Sequence, residues 1–386
     1  MLDFVYENQT KIIFGKNALE QVGVEMRRLG SQVLMVSYAN SIFQKNGLQE
    51  KISNYLKKQG ITVYQLEGVQ PNPRMELAYQ GIRLCKEKKI EAILAIGGGS
   101  VIDTCKTIGM GACYDGNAWD FFTGTQAHKT LPVGVILTIP AAGSESSMDA
   151  VMTLEKEGLK RASCSAPFIR PVFSILDPQL TFSLPAYQTA CGACDIIAHV
   201  LERYFTPTPD VKVTDRLCEG LIHAVMESIR KVLEKPDDYA GRAELMLAGT
   251  YAHNNIVGVG RIQDWASHGL GHEISAIKDT AHGATLAVMM PAWMKYVYRE
   301  NVQRFAQFAN RVFDVPYIPG EEEKMAALGI QRFELFLKDI GLPSSLQELG
   351  ITEDEITVMT RKCHNAGNLK KLDENDIMNI YHLAAK

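Results

Sequence analysis

No stretch of this chain stays apolar for the roughly 20 residues that a bilayer-spanning helix needs, so no membrane partner is expected. Charge of one sign is also missing. The 40 Lys and Arg stand against 44 Asp and Glu, the net charge is −4, and the basic residues are dispersed. That excludes the basic footprint of a nucleic-acid-binding protein. The opening MLDFVYENQTKIIFGK lacks the basic-then-apolar order of a signal peptide, and the expected location is the cytoplasm. Cysteine is present but unpatterned: eight thiols are scattered through both halves of 386 residues, which is not a small secreted disulfide scaffold. Cys191 and Cys194 form a C-x-x-C with no second such pair to complete a zinc site. In the middle of a helical pattern they read as two small residues packing that helix.

What remains is the composition of an ordinary globular protein, 46% apolar and 22% charged, long enough for two domains. The first half alternates strand and helix patterns. SQVLMVSY, ITVYQLEG, IEAILAIGG and LPVGVILTIP read as strands. LQEKISNYLKKQG, MELAYQGIRLCKEKK and VIDTCKTIGMGAC read as the helices between them. This order predicts a parallel sheet with helices on both faces, and near-continuous apolar strands such as AILAI fit burial on both sides. After Pro185 clear strand signals vanish, and four long stretches, beginning with PAYQTACGACDIIAHVLERYF, read as helices. The expected division is an α/β domain over residues 1–184 and an all-α domain over residues 185–386.

The helical half carries five potential metal ligands: Asp195, His199, His268, His272 and His282. Asp195 and His199 stand at i, i+4, and so do His268 and His272, so each pair shares one helix face. Imidazoles with a carboxylate suit a first-row divalent metal, whereas calcium and magnesium prefer all-oxygen shells. The other five histidines, His128, His223, His253, His364 and His382, have no such company and read as structural.

In the first half, the strand AILAI runs into Gly97-Gly98-Gly99-Ser100 and then a helix. Glycines there permit a tight turn, and the helix N-terminus offers free N–H groups to an anion. The loop lacks the Lys of a nucleotide-binding P-loop and departs from G-x-G-x-x-G. A second strand end, LTIPAAGSESS, supplies hydroxyls from Thr138 to Ser147. Two such loops at strand carboxyl ends are where a dinucleotide lies in folds of this class. A dinucleotide beside a Lewis-acidic metal implies hydride transfer at a carbonyl or alcohol carbon.

The chain resembles the iron-containing (group III) alcohol dehydrogenase family, and within it the butanol dehydrogenase-like aldehyde reductases. The resemblance runs end to end: KIIFGK, the PNP turn at 71–73, GGGSVIDTCK, TIPAAGSE, SILDPQLTFSLP, D-x-x-x-H-x-x-E from Asp195, DWASHGLGHE and D-x-x-H-G. It implies a Rossmann-like dinucleotide-binding domain followed by an all-helical metal-binding domain. It implies Asp195, His199, His268 and His282 as ligands of one divalent metal, Fe2+ or alternatively Zn2+, with His272 close to cofactor and substrate. For the cofactor it implies Asn72, Gly97, Gly98, Gly99, Ser100, Asp103, Thr138, Ser144 and Lys160, with Lys106 completing the GGGSxxDxxK motif. Cys191 and Cys194 depart from the family, where small non-thiol residues are usual.

The resemblance also implies a homodimer acting on small or medium-chain aldehydes and alcohols. A polyol dehydrogenase or a dehydroquinate synthase-like lyase on the same scaffold is the alternative, but the segments around the ligands carry few cations for a phosphorylated substrate. Cofactor choice turns on the residues after the early strand, Tyr38-Ala39-Asn40-Ser41, which include no carboxylate to bind a ribose 2′-OH and repel a 2′-phosphate. Asn40 and Ser41 can donate to a phosphate, so NADP(H) is expected to be preferred over NAD(H).

Overall fold

The computed structural model describes residues 1–39, 47–363 and 367–386. Asn40 and Ser41, expected at the cofactor, and His364 lie outside the described residues. Spatial proximity divides the chain into two units, Glu7–Ser183 and Met1–Tyr6 with Leu184–Lys386. The expected division at 184/185 therefore needs one correction: the first six residues belong with the helical unit. The Leu2 N–H donates to the Gly260 carbonyl at 2.8 Å, which ties this segment down by its backbone.

The α/β unit contains β1 (Lys11–Phe14), α1 (Val22–Leu29), β2 (Gln32–Tyr38), α2 (Leu48–Lys58), β3 (Thr62–Val69), α3 (Met75–Lys88), β4 (Ala92–Gly97), α4 (Gly99–Ala112), β5 (Val133–Leu137), β6 (Val151–Leu154), β7 (Leu159–Ala162) and β8 (Phe173–Leu176). Six strands form one parallel sheet in the order β1-β8-β5-β4-β2-β3. β4 and β5 are buried at every residue, as continuous apolar runs require when helices cover both faces. The chain moves outward from β2 to β3, returns to β4 on the other flank of β2, and continues to β5. The order thus reverses between β2 and β4, and open α/β sheets bind ligands outside the strand ends at such a point.

The strand and helix patterns read from this half all form. The antiparallel hairpin of β6 and β7 was not legible. Its strands are four residues each, and the turn between them rests on Gly158 at φ 58°, a left-handed position that glycine tolerates.

The helical unit holds α5 (Ala186–Tyr204), α6 (Lys212–Glu234), α7 (Tyr239–His253), α8 (Ala266–Lys278), α9 (His282–Val297), α10 (Val302–Phe313), α11 (Glu322–Asp339), α12 (Glu353–Lys362) and α13 (Glu374–Leu383). No strand is found among its described residues. α5 is its central element, with every residue from Thr189 to Tyr204 buried. A helix buried all round carries polar groups only where neighbours satisfy them, and α5 carries Asp195, His199, Glu202 and Arg203. No helix among the described residues is long and apolar enough to cross a membrane.

Candidate active site

Three helices bring the ligand candidates together. Asp195 and His199 lie one turn apart on α5, His268 and His272 one turn apart on α8, and His282 opens α9. The approach of α9 to α5 depends on Gly283, because a Cβ there would lie 2.0 Å from the Cys191 carbonyl oxygen. That contact seats His282 one turn along α5 from Asp195. Gly271 plays the same part between α8 and α9, where a Cβ would lie 2.8 Å from Thr285 Oγ1.

The point of convergence is Asp195 Oδ1. His199 Nδ1 is 3.1 Å from it, His268 Nε2 3.7 Å and His282 Nε2 3.9 Å. This buried oxygen makes no contact of hydrogen-bond geometry, and His199 Nδ1 is already 2.8 Å from the Asp195 main-chain carbonyl. The Asp195, His268 and His282 ligand atoms all lie within 4.8 Å of one another. His199 is placed beside that set by its ring, 4.5 Å from His268. Its Nδ1 must carry a hydrogen to bond a carbonyl, which leaves Nε2 with the free lone pair. His272 is outside the set, its ring 5.1 Å from His282 and 6.3 Å from His268.

Burial opposes the Asp195 charge, but His199 and the contacts with His268 and His282 outweigh it and hold the carboxyl well below its usual range. Burial also lowers the His199 imidazole, against the pull of Asp195. The result is an anionic carboxylate beside His199, whose burial favours the neutral imidazole. That donor set fits a divalent cation.

Glu202 continues the same face of α5. It is buried, and its Oε1 accepts from the His268 main-chain N–H at 3.0 Å and lies 2.8 Å from His268 Nδ1. A carboxylate on Nδ1 fixes the tautomer and turns Nε2 towards Asp195. Burial, then the charge of Asp264, raises the Glu202 carboxyl well above its usual range. Arg203 donates to the His199 carbonyl at 2.7 Å and lies over the Trp265 ring at 4.7 Å.

One neighbour escaped the sequence reading. His253, expected to stand apart, has its ring 4.2 Å from His199. It ends a helix 54 positions along the chain, and nothing in its spacing to the other ligands marks it. His223 and His382 are structural: His223 Nε2 lies 2.9 Å from the Arg311 carbonyl, and His382 Nε2 2.7 Å from Glu353. Cys191 and Cys194 are buried free thiols, and burial pushes Cys191 up to about 11 and Cys194 well above its usual value. They are poor nucleophiles and pack the helix.

In the α/β unit the glycine loop joins β4 to α4. A Cβ on Gly98 would lie 2.8 Å from Ile139 Cβ, and one on Gly97 2.4 Å from Val101 Cγ2, so both glycines allow close packing of the turn. α4 begins with no side-chain cap and no acid in its first turn, leaving its positive end to an anion. Thr138, at the end of β5, is fully buried and its Oγ1 has no hydrogen-bond partner. Its N–H donates to the Gly97 carbonyl at 3.0 Å, which ties the two strand ends together. This combination of open N–H groups and a buried free hydroxyl fits a pyrophosphate.

Tyr38, the first of the four residues expected to bear on cofactor choice, ends β2. It hydrogen-bonds the Gly98 backbone and the Ser100 side chain, and burial pushes its phenol up to about 12. Asp103 and Ser144, expected at the cofactor, have internal partners. The Ser144 hydroxyl donates to Asp103 Oδ1 at 2.5 Å, and the Val151 N–H donates to Oδ2 at 2.9 Å. Lys106 is fully buried beneath them, its Nζ 2.9 Å from Ser144 Oγ and 2.8 Å from the Asp149 carbonyl. These three brace the loop that follows Thr138. Asn72 and Lys160 meet each other, with Lys160 Nζ donating to Asn72 Oδ1 at 2.8 Å.

The sequence model of "Iron-containing alcohol dehydrogenase" matches residues 9–178, and that of "Fe-containing alcohol dehydrogenase family, C-terminal" matches residues 189–385. The chain belongs to the iron-containing alcohol dehydrogenase family. This alcohol dehydrogenase is 38% identical to the "Probable NADH-dependent butanol dehydrogenase 2" of Bacillus subtilis, over 98% of this chain and 99% of that one. It is 34% identical to the "NADPH-dependent aldehyde reductase YqhD" of Escherichia coli, over 98% and 97% of the two chains. Among solved structures, an NADH-dependent butanol dehydrogenase A from Thermotoga maritima matches with a TM-score of 0.96 and 38% identity, covering 100% of this chain and 99% of that one. The fold is therefore the expected one, a Rossmann-like α/β domain followed by an all-helical domain. The enzyme is an oxidoreductase that transfers hydride between NAD(P)H and an aldehyde/alcohol pair.

Proposed function

We propose that Asp195, His199, His268 and His282 hold one divalent metal, Fe2+ with Zn2+ as the substitute, and that the enzyme reduces small to medium-chain aldehydes. The carrying observation is the buried Asp195 Oδ1, which His268 Nε2 and His282 Nε2 approach to 3.7 and 3.9 Å, with the His199 ring packed beside them. Bound metal supplies Lewis acidity to the substrate oxygen, and bound nicotinamide supplies the hydride. The chain's own residues do the rest. Asp195 neutralises charge, Glu202 orients His268, and His272 passes a proton between solvent and the substrate oxygen. Aldehyde, NAD(P)H and one proton give alcohol and NAD(P)+. The substrate class rests on the relatives named butanol dehydrogenase and aldehyde reductase. Metal analysis with an aldehyde panel tests the reading: a metal-free protein with full activity would overturn it.

Glu202 gives a graded check. Glu202→Ala is expected to weaken metal affinity about 10–100-fold, as loss of a contact that orients a ligand does, while Glu202→Gln retains an acceptor and loses less. Chelator competition that returned one affinity for all three proteins would remove Glu202 from this role.

The cofactor proposal is a preference for NADPH. The named relatives divide between NADH and NADPH, so the support lies in Tyr38-Ala39-Asn40-Ser41, which carries no acid against a 2′-phosphate. Ala39 is exposed at the end of β2. Ala39→Asp is expected to move the NADPH-to-NADH ratio of kcat/KM about tenfold towards NADH, or about 1.4 kcal/mol. A parent enzyme with higher kcat/KM for NADH contradicts the preference.

A reducing cytoplasm suits the eight free cysteines. The homodimer is supported by β1, an edge strand with Phe14 exposed. Sedimentation at twice the chain mass is the expected result.

A further inference from the structure

We infer that His253 is a positioning residue for His199, an inference that rests on the metal reading above. His199 is anchored at one atom only on its ring, the Nδ1 contact of 2.8 Å to the Asp195 carbonyl. The torsion that turns an imidazole about Cβ–Cγ is broad, so one hydrogen bond leaves the direction of Nε2 loosely defined. Packing has to define it. The His253 ring meets His199 edge-on, with centroids 4.2 Å apart and planes at 62°. Trp265 closes the group, 5.9 Å from His199 and 5.7 Å from His253. Trp265 is itself held under the Arg203 guanidinium at 4.7 Å, and Arg203 donates to the His199 carbonyl.

His253 is the last residue of α7, so its side chain is carried on a rigid element rather than a loop. Its role follows from shape: an aromatic edge that keeps His199 Nε2 aimed at the metal. Edge-on aromatic pairs require a planar ring and no particular atom in it. That separates positioning from ligation by experiment.

The test uses full-length protein, Zn2+ and a chromophoric chelator, with His253→Ala, His253→Leu and His253→Phe beside the parent. Zinc affinity is expected to fall about tenfold in His253→Ala and His253→Leu, and to stay within about twofold of the parent in His253→Phe. The Co2+-substituted proteins give a second readout: the ligand-field bands shift in the Ala and Leu variants and not in the Phe variant. Melting of the metal-free Leu and Phe proteins at the parent temperature shows that folding is intact. Parent-like affinity in His253→Leu would overturn the inference, because bulk without an aromatic edge would then suffice. A Phe variant as weak as the Ala variant would also overturn it, because a nitrogen would then be required. A parent that bound no zinc or iron would instead fell the metal reading itself.

Discussion

His268→Ala is expected to be isolated without metal and without activity, whereas His272→Ala is expected to keep its metal and lose only part of its rate. The two residues stand one turn apart on α8, and their local sequence treats them alike. Their surroundings do not. His268 is buried, its Nε2 is 3.7 Å from Asp195 Oδ1, and Glu202 fixes its tautomer from the other nitrogen. Removing it takes a donor from the set and leaves the buried Glu202 Oε1 only the main-chain N–H of residue 268. Lewis-acid activation is worth several kcal/mol, and at about 1.4 kcal/mol per decade kcat/KM should fall roughly a thousandfold or more. His272 is only partly buried and lies outside the converging atoms. As a proton carrier it contributes about a hundredfold, the lower end for a positioned acid or base. Metal content per chain, measured together with kcat/KM, decides between them. An emptied site in His272→Ala with metal retained in His268→Ala would reverse the assignment.

The contrast between these two histidines also shows what a linear sequence carries. Spacing at i, i+4 is local, so the shared faces of Asp195 with His199 and of His268 with His272 were legible. So was the αβ alternation, because apolar runs such as AILAI write burial on both faces directly into composition. The convergence of three helices on Asp195 Oδ1 was not legible. It depends on Gly283 against the Cys191 carbonyl and on Gly271 against Thr285, contacts between positions far apart in the chain. His253 was missed for the same reason: α7 delivers it to His199 by packing, with no motif around it. In the α/β half, Asp103 and Ser144 were placed at the cofactor by resemblance, and the structure gives both a buried internal role. Tyr38 reaches the glycine loop because β2 and β4 are neighbours at the sheet's reversal point, a fact of strand order.

Strand order also explains why the second large effect is expected far from any ligand. Lys106 lies on α4, fully buried, and its ammonium is the hub of the loop that follows β5. It donates to Ser144 Oγ at 2.9 Å, to the Ser147 carbonyl at 3.0 Å and hydroxyl at 3.1 Å, and to the Asp149 carbonyl at 2.8 Å. Through Ser144 it also balances the buried Asp103 carboxylate. Lys106→Met keeps the volume and removes the charge. Stranding buried acceptors costs about 1–3 kcal/mol each, and a loss of about 3–5 kcal/mol in a unit of this size lowers Tm by roughly 10 °C. The double variant Asp103→Asn/Lys106→Met is expected to lose less than the sum of its parts, because the orphaned carboxylate is gone.

The parent carries a pH signature that the variant lacks. Burial draws the Lys106 ammonium from 10.5 down to about 8, against the attraction of Asp103, Asp149 and Glu145. Between those values the unfolded chain holds the proton and the folded chain does not. The contribution of this group to stability therefore rises with pH through that window. The gap in Tm between parent and Lys106→Met should widen from pH 8 towards pH 10. NADPH binding should weaken with the loop, since the braced segment begins at Thr138, whose free hydroxyl faces no protein partner. Thermal melts across this pH range, with and without NADPH, check both parts. A Lys106→Met protein melting within 2–3 °C of the parent, roughly 1 kcal/mol, would show that the ammonium is not the hub of this loop.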